Sequence, residues 1–263
     1  MTEHPLVTAV GHETVGVYLH GSAALGGFVP GVSDVDILAV VARPHRRRTQ
    51  RRPGQLLRAA ADTCPGNGLE ASIITAATAR SLGDCRFEVH VTTSPGDQKL
   101  VCGAHHCGDP DLVLHSAVCR QHGVAFAGPP PQEVFGLVPR QRILTALLHE
   151  LRWAKEHGTE AYAVLNACRA WRYIDDETFT SKIEAGEWAI QHGAANVVGD
   201  ALSQQRSGRH RTAPSPLAQR FVERSNAASR PPHHDHLHHP DHTIRLPSNN
   251  RVRQFQRNYS AGG

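Results

Sequence analysis

A chain of 263 residues, 40% hydrophobic and 20% charged, is long enough for one large domain or two modest ones, each with its own core, which excludes a wholly disordered protein. The formal charge of +4 rests almost entirely on arginine; it suits nucleotide phosphates but is no footprint of a duplex-binding protein, so no nucleic-acid partner is expected. Six irregularly spaced cysteines in so large a chain read as reduced thiols, and neither a basic leader followed by an apolar stretch nor a bilayer-length apolar run occurs, so a cytoplasmic protein without membrane contact is expected.

The first strong segment, Val15 to His20, is a short run of β-forming residues that stops at Gly21-Ser22 and predicts a buried strand ending in a tight turn. A loop carrying Gly26, Gly27, Pro30 and Gly31 leads to a second strand, Val35 to Val41, with Asp34 and Asp36 at its start. The arginine cluster Arg46, Arg47, Arg48, Arg51 and Arg52 has no interleaved aromatics and reads as the start of a solvated helix, continuing over Gly54 to Ala61. A turn at Pro65 to Gly68 precedes a third strand, Leu69 to Thr75. Another strand, Arg86 to Val91, half-buries Phe87, Val89 and Val91 by alternation.

Asp109-Pro110 starts a helix that runs to Gln121, with aspartate as cap and proline in the first turn. From Pro139 the period becomes helical, with Ile143, Leu144, Leu147, Leu148 and Leu151 on one face. Helices over Glu160 to Tyr173 and from Ser181, whose spacing to Glu184 fits a capping box, complete a helical second half. After about Gln205 the composition turns to Ser, Arg, Pro and His, including His233 to His242, and predicts a disordered tail rather than a metal site. The expected organisation is thus a mixed-sheet α+β domain over 1–138, a helical domain over 139–206 and a disordered tail over 207–263.

Chemistry concentrates at Gly21-Ser22 and Ser33-Asp34-Val35-Asp36. Carboxylates two residues apart on a strand project from one face and can reach one hard cation. A glycine-serine turn lets backbone N–H groups and a hydroxyl approach terminal phosphates. Glu70, on the next strand, supplies a third acid, and three carboxylates at one strand edge repel unless a cation joins them. The order strand, Gly-Ser, Asp-x-Asp, strand, acid resembles the nucleotidyltransferase fold of the DNA polymerase beta superfamily.

A narrower resemblance is carried by Leu19-His-Gly-Ser-Ala-Ala-Leu-Gly-Gly27, Ser33 to Leu38, Gly68-Leu-Glu70, Gly128-Pro-Pro with Glu133-Val-Phe135, Arg169-Ala-Trp171, Ser181-Lys182 and Ala185-Gly-Glu-Trp188. Over about Val15 to Gln205 the chain resembles the aminoglycoside (3'')(9) adenylyltransferase family, which acts on streptomycin and spectinomycin. The resemblance implies an enzyme that moves AMP from ATP to a drug hydroxyl with two magnesium ions. Gly21, Ser22 and Ser33 would hold phosphates, Asp34 and Asp36 would ligate magnesium with Glu70, and Glu70 would be the general base. Arg169 and Lys182 would contact the triphosphate. Trp153, Glu160 and Glu88 would face the cationic acceptor, and a monomer is expected. The chain departs from the family where Phe87-Glu-Val-His90 lacks a tryptophan near the acceptor, and where no tyrosine follows Tyr173 before Tyr259. A protein or RNA acceptor, or nucleotide binding without turnover, stays open as an alternative.

Overall fold

The computed structural model describes residues 5–11, 13–103, 106–209 and 216–228. The amino-terminal half runs α1 (Pro5–Val10), β1 (Thr14–Leu19), α2 (Gly21–Ala24), β2 (Val35–Val41), α3 (Arg51–Ala60), β3 (Leu69–Thr75), α4 (Ala76–Ser81), β4 (Val89–Ser94), β5 (Asp97–Cys102), α5 (Leu112–His122) and β6 (Val124–Ala127). The strands form one sheet in the order β5-β4-β3-β2-β1-β6. Only β2 and β3 pair in parallel; their neighbours are antiparallel. As the innermost strands, covered on both faces, β2 and β3 read as nearly continuous apolar runs.

Alternation sends successive strand residues to two separate cores. Val17, Leu19, Ile37, Ala39 and Ile73 pack under α1 and α3, through residues such as Leu6 and Leu57. Tyr18, Leu38, Val40 and Ile74 face the other way, toward α5 and the second half of the chain. That half comprises the short α6 (Pro131–Val134), then α7 (Arg140–His157), α8 (Glu160–Asp176), α9 (Lys182–Ala189), α10 (Ala195–Ser207) and α11 (Pro216–Ala228). The predicted face of α7, Ile143, Leu144, Leu147, Leu148 and Leu151, is buried throughout. Thr159 caps α8 by accepting from the Tyr162 amide, and Ser181 caps α9 by accepting from the Glu184 amide.

Four local expectations change. The fourth strand begins at Val89, not Arg86, and turns through Pro95-Gly96 into β5, an edge strand too polar to announce itself. The arginine segment enters the helix only at Arg51, with Arg46 to Arg48 in the preceding loop. Asp109 accepts a hydrogen bond from the Asp111 amide at 3.0 Å in the turn before α5 rather than capping it directly. Finally, residues 216–228, expected within the disordered tail, form α11 on α7 and α8. There Ala218 and Val222 are buried and Glu223 pairs with Lys155 at 2.8 Å. The His233 to His242 stretch lies outside the described residues.

Candidate active site

A cleft of about 470 Å³ opens between the amino-terminal edge of the parallel strand pair and the helices α5, α7, α8 and α9. Its sheet-side wall is built by register. Asp36 on β2 lies directly opposite Glu70 on β3 in the parallel pair, so both side chains emerge on the face shared by Leu38 and Ile74. Asp34 sits just before β2, within 3.4 Å of the Asn67 side-chain amide. Gly21 takes φ of +58, and the following Ser22 amide donates to Asp36 Oδ2 at 3.3 Å. Ser33 lines the cleft but is engaged locally, accepting from the Val29 amide at 3.0 Å.

The electrostatics of this wall are unbalanced. Burial, then repulsion from Glu70 and Asp34, pushes the Asp36 carboxyl up to about 7, while His115 and Lys182 pull the other way. Among the described residues no three His, Cys, Asp or Glu side chains are already gathered around one point as a complete ion cage. The donor set nevertheless fits a hard divalent cation: oxygen ligands, adjacent carboxylates, and a buried acid whose proton a cation would replace.

The facing wall supplies the opposite charge. Arg169 on α8 and Lys182, the first residue of α9, both line the cleft. Lys182 Nζ stands 4.0 Å from the centroid of the Tyr162 ring. Burial and the neighbouring Arg169 bring Lys182 down to about 8, against the stabilising pull of Glu150, Asp36 and Asp34. Arg169 donates to Asn166 Oδ1 at 3.0 Å.

Sequence reasoning passed over several groups here. His115 on α5 faces the acids: burial works against its charged ring, yet Glu70, Asp111, Asp109 and Asp36 outweigh it and raise its pKa. His20, 5.0 Å from His115 between ring centroids, is driven well below its ordinary value by burial and by that neighbour. Asp109, Asp111, His90 and Glu150 also line the cleft, which is therefore rich in carboxylate. In the sequence Asp109 is legible only as a helix start, and Asp111 carries no signal of its own. Nothing local distinguishes such a residue from one that faces a site.

Three expected acceptor contacts fare differently. Trp153 is 46% exposed at the rim of the cleft, stacked on His157 and edge-on to Tyr162. Glu88 is elsewhere: its buried carboxylate accepts from the His45 amide at 2.7 Å and from Gln50 Nε2 at 3.2 Å. Burial opposes that charge, but those hydrogen bonds hold its pKa below the usual carboxylate range. Glu88 thus pins the arginine-bearing loop, because it lies just before β4, whose first residue pairs with Ile73 at the end of β3 away from Glu70 and the cleft. Glu160 is buried in the first turn of α8 and does not line the cleft.

Residues 8–86 match the nucleotidyltransferase domain model, and residues 133–223 match the model of the aminoglycoside adenylyltransferase C-terminal domain. A spectinomycin 9-adenylyltransferase of Staphylococcus aureus is 29% identical over 198 residues, covering 68% of this chain and 72% of the relative. An aminoglycoside (3'')(9) adenylyltransferase of Klebsiella pneumoniae is 28% identical over 188 residues, covering 66% and 70%. In fold, the chain is similar to the crystal structure of the spectinomycin adenyltransferase AAD(9) from Enterococcus faecialis with ATP and spectinomycin. The TM-score is 0.64 at 15% identity, over 84% of this chain and 94% of that one.

Proposed function

Because the chain belongs to the aminoglycoside adenylyltransferase family of nucleotidyltransferases, we propose that it transfers AMP from ATP to a hydroxyl of an aminocyclitol or aminoglycoside such as spectinomycin or streptomycin, releasing pyrophosphate. The observation that carries this reading is the in-register pair Asp36 and Glu70 facing Arg169 and Lys182 across one cleft.

The triphosphate lies between the walls. Arg169 and Lys182 take its terminal oxygens, and the Gly21-Ser22 turn approaches it from the sheet. Asp34 and Asp36, with Glu70 beside them, would hold magnesium, which when bound supplies positive charge for the oxygens of the transferring phosphoryl group. Glu70 accepts the proton of the attacking hydroxyl, so that the oxygen adds to the α-phosphorus as the bond to pyrophosphate breaks. A polycationic acceptor suits the remaining carboxylates: Asp109 and Asp111 line the same cleft, and burial raises Asp111, a shift that an ammonium or guanidinium there would oppose. Trp153 at the rim offers a flat apolar surface to such a ligand.

The test is transfer from labelled ATP, with magnesium, to spectinomycin, streptomycin, tRNA and a cell lysate. Labelled drug is expected, and Glu70→Gln should abolish it, by about 100-fold or more, while ATP still binds. Label appearing only on RNA or protein would overturn the acceptor assignment, and full turnover by Glu70→Gln would overturn the base.

A further inference from the structure

Beyond the residues that meet the nucleotide lies a polar chain that ties them together. Tyr162, Asn166 and Arg169 are spaced by four and three residues on α8 and so share one face of that helix. Glu150, on the neighbouring α7, accepts from the Tyr162 hydroxyl at 2.5 Å and from Asn166 Nδ2 at 3.3 Å, both at Oε1. Asn166 passes its other end to Arg169, whose Nη1 reaches Oδ1 at 3.0 Å. Tyr162 passes its ring to Lys182 on α9, 4.0 Å away.

We infer that Glu150 is a positioning residue for nucleotide binding, one carboxylate on α7 that sets the orientation of both Arg169 and Lys182 through Asn166 and Tyr162. The inference rests on the reading that those two cations hold the triphosphate.

Four physical points carry it. Among the described residues Arg169 has its hydrogen bond to Asn166 and no ion pair, so the other guanidinium donors are available and the amide fixes the plane in which they point. The side-chain amide of Asn166 can orient Arg169 only if its own flip is fixed, and donation to a carboxylate fixes it, because that carboxylate has no proton to give back. The Tyr162 hydroxyl behaves likewise: anchored at its oxygen, the ring presents a constant face to an ammonium that would otherwise swing on four methylenes. Arg169 and Lys182 also repel one another, and a negative charge between their helices offsets that repulsion without occupying a phosphate site.

Steady-state kinetics on the full chain, with magnesium, ATP and the drug giving the fastest transfer, separates this role from others. Glu150→Ala is expected to raise KM for ATP by about tenfold while leaving KM for the drug within about twofold, with thermal melts reporting whether the fold survives. Glu150→Gln keeps a carbonyl oxygen for both donors and should recover most of the ATP affinity, which a purely charge-based role would not predict. Tyr162→Phe, which retains the ring but not the anchor, should show a smaller rise in KM for ATP. The double variant Glu150→Ala/Arg169→Ala should lose less ATP affinity than the product of the two single losses, exceeding Arg169→Ala only by about the loss seen in Tyr162→Phe. The inference is overturned if Glu150→Ala raises the drug's KM instead, or if the two losses multiply. Should Arg169→Ala and Lys182→Ala each leave KM for ATP unchanged, the assignment of those cations to the nucleotide falls first, and Glu150 with it.

Discussion

Gly21 and Asp36 are packed so closely that a Cβ on the glycine would overlap the Asp36 carboxylate, while the amide one residue later donates to that same carboxylate. Gly21 also holds φ of +58, a conformation that costs an L-residue roughly 1–2 kcal/mol. Gly21→Ala should therefore lower the melting temperature and also displace the ligand acid, eliminating AMP transfer. Gly26 is the control: its φ is +74, but a Cβ there meets nothing. Gly26→Ala should lower stability by a similar amount and keep its activity. Equal activity in the two variants would show that the crowding at Asp36 does not matter.

Asp36 gives a pH signature in divalent-free buffer. Its folded pKa, about 7, lies above the value near 3.9 of an unfolded aspartate. The folded state therefore binds this proton more tightly, and the destabilisation from a charged Asp36 is complete above about pH 7 and relieved as pH falls toward 4. Melts in EDTA should show wild type gaining stability relative to Asp36→Asn between pH 8 and pH 5. Magnesium, which needs the carboxylate ionised, should stabilise wild type more at pH 8 than at pH 6 and leave Asp36→Asn unmoved. Parallel curves for the two proteins in EDTA would contradict this.

Lys182, brought down to about 8, titrates within reach of assay buffers. Only its protonated form attracts phosphate, so ATP affinity should weaken as pH rises through 8, by about tenfold between pH 7 and pH 9 if that form alone binds. Lys182→Arg keeps its charge throughout and should flatten the profile, whatever its affinity at pH 7. A wild-type dissociation constant that does not change over this range would remove Lys182 from the nucleotide site.

Glu88 tests a negative. Glu88→Ala leaves the His45 amide and Gln50 without their acceptor and should cost on the order of 1–3 kcal/mol in stability, read from denaturant midpoints. Its KM for drug and for ATP should match wild type. A selective rise in the drug's KM would return Glu88 to the acceptor site.

The site was legible where chemistry and local pattern coincide. Two aspartates flanking Val35 at the head of an apolar run, and a glutamate opening the next one, needed only the strand period to share a face. The parallel pairing of β2 and β3 then set them side by side. Arg169 and Lys182 came from family resemblance, and the structure brings both to the cleft. Glu88 was misplaced because alternation along a strand says which residues share a face but not where along the sheet the cleft opens. Glu150 and His115 were invisible for a related reason: each sits on a helix whose pattern is explained by its apolar face, and which polar flank meets the site depends on helix packing. The last helix, α11, escaped because Ala218, Phe221, Val222 and Ser225 keep a helical spacing inside a segment whose flanks are rich in Pro, Ser and Arg.

The pairing of Asp36 with Glu70 makes catalytic geometry and strand pairing one decision. Sliding β3 by a single residue would turn Glu70 inward among Leu57 and Val17 and swing Leu69, Ala71 and Ile73 out toward the nucleotide. Such a mispaired chain would strand an acid in oil and leave its greasy side chains wet, so it would be rejected during folding long before any substrate arrived. Loss of activity in this lineage should then come from exchanging the acids themselves, with the pairing beneath them left intact.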